Sequence, residues 1–310
     1  MRILITLRQL EIFLAVARDG HVTKAAEALH LTQSATSMAI AQLERQLDTV
    51  LFERTGRRLK LTERGRLLMA EAPDLLSRVQ DLPALLGGKA GALRGELRIA
   101  ASTTIGRYLL APGLVAFASS HPEVHVELSI GNTEAALDAL KNHRADVAFV
   151  EGLVSSSDLV ATFWRPDRLE VVVSASHAMA GKKTLKSTDL HKLQWILREP
   201  GSGTRQLFEG ALRAAALKPI KPLLTLDDTE AVIQAISTGV AASCLSRLSV
   251  SEAVRTKRLV SLSAPILPLD RSLWRVTRRE SRAGPLLVAL DAHLSTAAFC
   301  RTSASAKILC

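Results

Sequence analysis

The sequence predicts a molecule in two textures: a small helical N-terminal unit closed by a basic hairpin, then a larger α/β body, joined by one long helix. Three observations predict it. Apolar residues recur at helical spacing in short segments through residues 7–66, and again in one longer run over 67–88. From Gly91 onward, short apolar runs alternate with helical stretches. The 310 residues allow two or three compact units, and the expected divisions are 1–66, 67–90 and 91–310. A hydrophobic content of 47% is enough to bury real cores and excludes a disordered chain. The formal charge of +10 favours a polyanionic or acidic partner without identifying it.

In the first unit, Leu7, Leu10, Phe13 and Leu14 share one face of a first helix, which Asp19-Gly20 stops. Thr23 is the expected N-cap of a second helix whose small residues Ala25, Ala26 and Ala28 permit close packing. After a turn at His30-Leu31, Thr32 caps a third helix. Its core face is Thr36, Ile40, Leu43 and Leu47, and its outer face carries Gln33, Ser34, Ser37, Met38 and Ala41. Short outward side chains with polar groups in the first turn suit a recognition helix, because that turn must approach base edges in the major groove. Next comes a Gly56-centred basic turn with Arg54, Arg57 and Arg58. Between Phe52 and Arg66 there are six Lys/Arg against two Glu. A basic hairpin there places cations along phosphates. Together these features predict a winged helix-turn-helix.

The same residues carry a resemblance. Leu10-Glu11-x-Phe13, Thr23-Lys24-Ala25-Ala26-Glu27-x-Leu29, Thr32-Gln33-Ser34-Ala35-x-Ser37, Gln42-Leu43-Glu44, Leu51-Phe52-x-Arg54 and Leu61-Thr62-x-x-Gly65 resemble the LysR-type transcriptional regulators. The resemblance implies promoter DNA as partner, read through Thr32, Gln33, Ser34, Ser37, Met38, Arg54, Arg57 and Arg58. It also implies a homodimer or homotetramer, a small-molecule effector and contact with RNA polymerase. There are two departures. Asp48 stands where the family usually has Gly, and Met38 where a basic residue is frequent.

In the connecting helix, Leu68, Leu75, Val79, Leu82 and Leu86 recur at spacings of seven, four, three and four, a heptad-like stripe suited to a second copy. Pro73 and Pro83 should break hydrogen bonds or kink it. In the body, strands are expected at Glu96–Ala101, Val124–Ile130, Asp146–Val150, Leu169–Ser174 and Gln194–Leu197, in a mostly parallel sheet. By resemblance the body is a two-lobed periplasmic-binding-protein-like effector domain, with lobe I at 93–165 and 268–293 and lobe II at 166–267.

Ligands of open α/β sheets sit past the carboxyl ends of strands, at helix N-termini. Three segments occupy such places. Ser102, Thr103 and Thr104 follow the first strand. Gly201, Ser202, Thr204 and Arg205 follow the Trp195–Leu197 strand. Glu151 ends a third strand. Hydroxyls, amides and a guanidinium are the parts of an anion site. A carboxylate at Glu151 would repel a dianion and accept a protonated oxyanion. The Arg198–Phe208 and Gly239–Arg247 segments resemble the sulfur- and carbon-assimilation branch of the family, which implies a small oxyanion or anionic metabolite, with sulfite the leading candidate.

No G-x-S-x-G, H-E-x-x-H, C-x-x-C or Walker pattern occurs, and an enzyme is not expected. A DNA-compacting protein without a ligand is the remaining alternative, and the long two-lobed region argues against it. Cys244, Cys300 and Cys310 lack metal-ligand spacing, so neither metal nor other cofactor is expected, and three sparse thiols suit the cytoplasm. The apolar Met1–Thr6 stretch is too short and too basic for a signal peptide or a membrane span.

Overall fold

A computed structural model describes residues 5–55, 58–85, 93–152, 154–281 and 284–296. The chain divides into two compact units, residues 1–91 with 281–285, and residues 92–280 with 286–310.

The first unit is built from α1 (Leu7–Asp19), α2 (Val22–Ala28), α3 (Gln33–Gln46), the antiparallel hairpin β1 (Phe52–Thr55) and β2 (Arg58–Leu61), and α4 (Glu63–Leu85). Thr6 opens α1 in a capping box with Gln9, and Gly20 closes it at φ +65. Leu10, Phe13 and Leu14 are buried, whereas Leu7 is exposed beyond the end of the core. The second helix begins earlier than expected. Its N-cap position is His21, without a side-chain cap bond, and Thr23 lies inside the first turn. His30 and Asp48 both take positive φ, +54 and +48. The left-handed region tolerates Asp, so the turn after α3 closes without the family's usual glycine. Pro73 and Pro83 lie within α4, which runs through both without interruption. Leu86 lies outside the described residues.

The second unit has a seven-stranded sheet that is mixed, not mostly parallel. Its strands are β3 (Gly95–Ser102), β4 (Val124–Gly131), β5 (Val147–Glu151), β6 (Leu159–Ser174), β9 (Ala242–Ser246), β10 (Leu259–Leu262) and β11 (Asp270–Arg278). The spatial order is β10-β6-β11-β5-β3-β4, with β9 also on β6. Only β4 and β5 run parallel to β3. The antiparallel pairs all involve β6 or β11. β6 explains the difference: its Leu159–Arg168 stretch runs along β11, with a register shift that leaves Trp164 unpaired in the ladder, and from Leu169 it pairs with β9 and β10. One continuous strand thus crosses between two sheet halves, and β11 returns beside it. A separate parallel pair, β7 (Ile196–Arg198) with β8 (Leu224–Leu226), extends the second half.

Helices cover both faces. In the first half, α6 (Ala111–Ser120) and α12 (Pro285–Leu294) bury Leu114, Phe117 and Leu290 with Leu97, Ile99 and Phe149. On the other face, α7 (Thr133–Lys141) buries Ala136 and Leu140 against Ala148 and Val150. In the second half, α9 (Gly203–Ala214) packs Phe208 and Leu212 on Trp195 and Val171, while α10 (Thr229–Ile236) and α11 (Arg247–Arg255) cover the reverse face. Each face is apolar at alternate strand positions, so the strands' two-residue period decides which side chains enter which core. The remaining short elements are the single-turn α5 (Thr103–Ile105), a π-turn at Gly106–Leu110, and α8 (Ser187–Lys192).

Candidate functional sites: a nucleic-acid face and an inter-lobe polar seam

The nucleic-acid face is set by α3. Thr32 accepts a hydrogen bond from the Ala35 amide at 3.2 Å and thereby fixes the start of the helix. Thr36, Ile40 and Leu43 are buried, and Leu47 packs against the same core. Gln33, Ser34, Ser37, Met38 and Ala41 are all exposed, so the helix presents one small, polar-tipped face. Met38 is the most exposed large apolar residue here, at 71%.

The hairpin is tied to α3 by a residue whose role spacing did not disclose. The Glu44 carboxylate accepts the Leu51 amide at 2.7 Å and the Phe52 amide at 3.2 Å. Thr62 Oγ1 donates to the Val50 carbonyl at 2.7 Å and accepts the Gly65 amide at 3.0 Å. A Cβ on Gly65 would stand 2.2 Å from the Leu51 carbonyl oxygen, so only glycine lets α4 approach the hairpin. Arg54 lies on β1 and Arg58 on β2, and Arg57 lies outside the described residues.

In the second unit, the three hydroxyl-rich segments come together where the sheet halves meet. Glu151, at the end of β5, is buried and not a solvated strand-end carboxylate. Ser102 Oγ, at the end of β3, donates to its Oε2. Thr204, in the first turn of α9, donates to its Oε1 at 3.3 Å. Gly203 allows this approach: a Cβ there would lie 2.2 Å from the Glu151 carbonyl oxygen and 2.6 Å from Thr133 Oγ1.

Two guanidiniums that sequence reasoning did not assign organise the seam. Arg271 on β11 pairs through Nε with Asp167 Oδ2 of β6 at 2.7 Å. Its Nη1 donates to Thr204 Oγ1 at 3.1 Å and stands 3.8 Å from Glu151. Ser246 Oγ donates to the same Asp167 carboxylate at 2.8 Å. The Arg271 side chain is 1% exposed, and its Nη2 has no partner among the described residues. One buried cation therefore faces two buried carboxylates across both crossover strands. Arg198, ending β7, donates to Thr229 Oγ1 at 2.7 Å, to the Asp227 carbonyl at 3.1 Å, and to Thr103 Oγ1 at 3.4 Å. No sequence pattern announces either residue, since each has partners far away in the chain.

The other expected site residues are placed as follows. Thr103 also donates to the Gly131 carbonyl at 2.9 Å. Thr104 is buried within α5. Gly201 takes φ +86, and its carbonyl accepts the Glu134 amide at 3.3 Å. Ser202 heads α9 without a side-chain cap bond. Arg205 is turned elsewhere, onto Glu209 at 2.8 Å and the Arg198 carbonyl at 3.0 Å. At the rim, Arg107 of the π-turn pairs with Asp228 at 2.7 Å. Burial pushes the Asp228 carboxyl up, but the Ala231 amide and the Arg107 guanidinium outweigh burial and hold it below its ordinary value. Burial, reinforced by Glu230, raises the neighbouring Tyr108 phenol. Cys244 is buried, and burial drives its thiol far above the ordinary range, which suppresses thiolate chemistry. Among the described residues no helix is long and apolar enough to cross a membrane.

Comparison with known proteins covers both units. Residues 7–66 match the model of the bacterial regulatory helix-turn-helix protein, lysR family, and residues 90–298 match the LysR substrate binding domain. The chain is 36% identical over 277 residues to the HTH-type transcriptional regulator YeiE of Escherichia coli, covering 89% of this chain and 92% of that protein. A full-length OxyR variant from Pseudomonas aeruginosa superposes with TM-score 0.77 over 100% of this chain and 99% of that one, at 21% identity, a likeness of fold. The CcmR regulatory domain of Synechocystis PCC6803, solved in complex with 2-PG, is 25% identical with TM-score 0.60, covering 65% of this chain and 96% of that one. The matched family models span most of the chain, and it belongs to the LysR family: a DNA-binding transcriptional regulator with an effector-binding domain, not an enzyme.

Proposed function

We propose that this regulator binds a partly palindromic promoter site as a homodimer or homotetramer, and that a small oxyanion or anionic metabolite bound between its lobes modulates that binding. The observation that carries the reading is convergence. Thr103 and Glu151 from one lobe meet Arg198 and Thr204 from the other within hydrogen-bonding distance, and Ser102 donates to the same Glu151. An anion touching both sides favours one lobe arrangement only by the difference in its affinity for the two. Ser102, Thr103, Thr104, Ser202 and Thr204 hold it, and Gly201 gives it access to the α9 amides. Arg205 acts at one remove, through the Arg198 carbonyl. Around Arg271 two carboxylates face one guanidinium, which favours a protonated, singly charged anion, and sulfite at neutral pH supplies such a form. The 2-PG in complex with the CcmR regulatory domain supports a small ligand for this kind of domain.

On the DNA side, Thr32, Gln33, Ser34, Ser37 and Met38 meet base edges, and Arg54, Arg57 and Arg58 meet phosphates. Leu75 and Val79 of α4 are exposed in the single chain, which supports a seam with a second copy. The protein acts in the cytoplasm, where it meets promoter and RNA polymerase. Calorimetric titration of the full chain with sulfite, sulfate, phosphate and short carboxylates tests the effector reading. One of these should bind below about millimolar, and Thr104→Ala or Ser202→Ala should weaken it. Silence from the whole series, or variants indistinguishable from wild type, would mean that the cleft reads a different, neutral compound.

A further inference from the structure

The Arg198 guanidinium has an odd ion partner: its own neighbour. In an extended strand adjacent side chains point to opposite faces, so residues i and i+1 do not ordinarily pair. Here β7 ends at Arg198 and the chain turns at once through Glu199, Pro200 and Gly201. The turn brings the Glu199 carboxylate back onto the guanidinium with two prongs, Nε to Oε2 at 2.8 Å and Nη2 to Oε1 at 3.0 Å. That is the fork geometry with which arginine grips any carboxylate or oxyanion. The guanidinium side chain is 3% exposed and the carboxylate 16%, so the anion lies on the solvent side of the cation. The remaining contacts of the Arg198 guanidinium are neutral: Thr229, the Asp227 carbonyl and Thr103 of the opposite lobe.

We infer that Glu199 is a resident counter-anion, which keeps Arg198 paired until an anionic effector entering between the lobes takes its place on the guanidinium. This rests on the reading that the effector is an anion. A buried guanidinium is costly to leave unpaired, so the exchange must swap one anion for another. Glu199 is tethered beside the site, so its local concentration is high. A free anion wins only if it gains contacts that Glu199 lacks, and the Thr103 and Thr229 hydroxyls border the same guanidinium. Release of Glu199 also frees its turn. The Glu199 carbonyl accepts the Ser202 amide at 3.2 Å, and the Gly201 carbonyl accepts the Glu134 amide of the other lobe at 3.3 Å. The exchange therefore acts on a contact between the lobes as well as on the anion.

The test is calorimetry of the full-length protein with sulfite and with inorganic phosphate. Glu199→Gln keeps a hydrogen-bond acceptor and removes the competing charge, and it should tighten binding of whichever anion binds wild type by about tenfold. Glu199→Ala, which removes the acceptor too, should move in the same direction and guards against a rearrangement peculiar to the amide. Arg198→Gln should lose binding, with circular dichroism used to verify its fold. Equal or weaker binding by both Glu199 variants, or unchanged binding by a folded Arg198→Gln, overturns the proposal and leaves the anion reading standing. If wild type and both Glu199 variants bind neither anion, the anionic reading fails, and the counter-anion role with it.

Discussion

Arg271 supplies the counter-charge for two buried carboxylates whose other partners are the hydroxyls of Ser102, Thr204 and Ser246. Replacing it by Met would strand Asp167 and Glu151, and breaking a buried ion pair from one side costs about 3–5 kcal/mol. Urea unfolding of Arg271→Met should show that loss, and adding Asp167→Asn should recover part of it. Full stability in the single variant would mean that the cluster contributes nothing. Gly65→Ala should cost about 1–3 kcal/mol, because its Cβ meets a backbone oxygen that cannot swing away. Asp228 makes a smaller, pH-dependent contribution. Its folded carboxyl is held below the ordinary value, so the stabilisation from Arg107 is present above about pH 4 and disappears as pH falls further. Both partners are more than a third exposed, so about 1 kcal/mol is the ceiling. Asp228→Asn should therefore lower stability at neutral pH slightly, and the difference should shrink as pH falls below about 4.

At the scale of elements, the proposed reading has α3 and the hairpin divide the work of DNA binding. Arg54→Ala and Arg57→Ala should weaken binding to all duplexes and flatten the salt slope by about one unit each. Gln33→Ala or Ser34→Ala should instead erode discrimination between sequences, by about 1–3 kcal/mol for a lost base contact. Equal losses on specific and random DNA in both sets would remove the division. In α4, Leu68 packs on its own unit's core while Leu75 and Val79 face outward. Leu82→Asp should therefore yield smaller particles in sedimentation, and an unchanged oligomer would contradict the two-chain seam. The α3 face was legible in the sequence because burial and exposure follow the helical period directly. Thr23 misled because a capping residue type lay just inside the true start at Val22. β6 was seen only in its last six residues, since Arg165-Pro166-Asp167-Arg168 reads as a break. Pro166 is in fact accommodated within the strand, opposite Ser272 of β11. β11 alternates buried and partly exposed positions, yet its three arginines hide it. Arg271 is buried only because Asp167, 104 residues away, is there to receive it.

For the whole molecule, hydroxyl-rich segments in each lobe were readable from the sequence, but the organising cations are visible only when the chain is folded. Arg198 and Arg271 each collect partners from several elements, and such long-range pairings leave no local pattern. On the proposed reading an anion in this seam changes how the N-terminal unit reads DNA, and linkage makes the effect reciprocal. The most direct measurement selects a binding site from a random duplex pool with the full-length protein. Fluorescence anisotropy on that site then gives the DNA affinity with and without saturating sulfite or phosphate. A partly palindromic sequence should be enriched, and its affinity should change with the anion by about fivefold or more, an effect absent in Thr104→Ala. A selected site whose affinity is indifferent to every anion that binds the protein would contradict it.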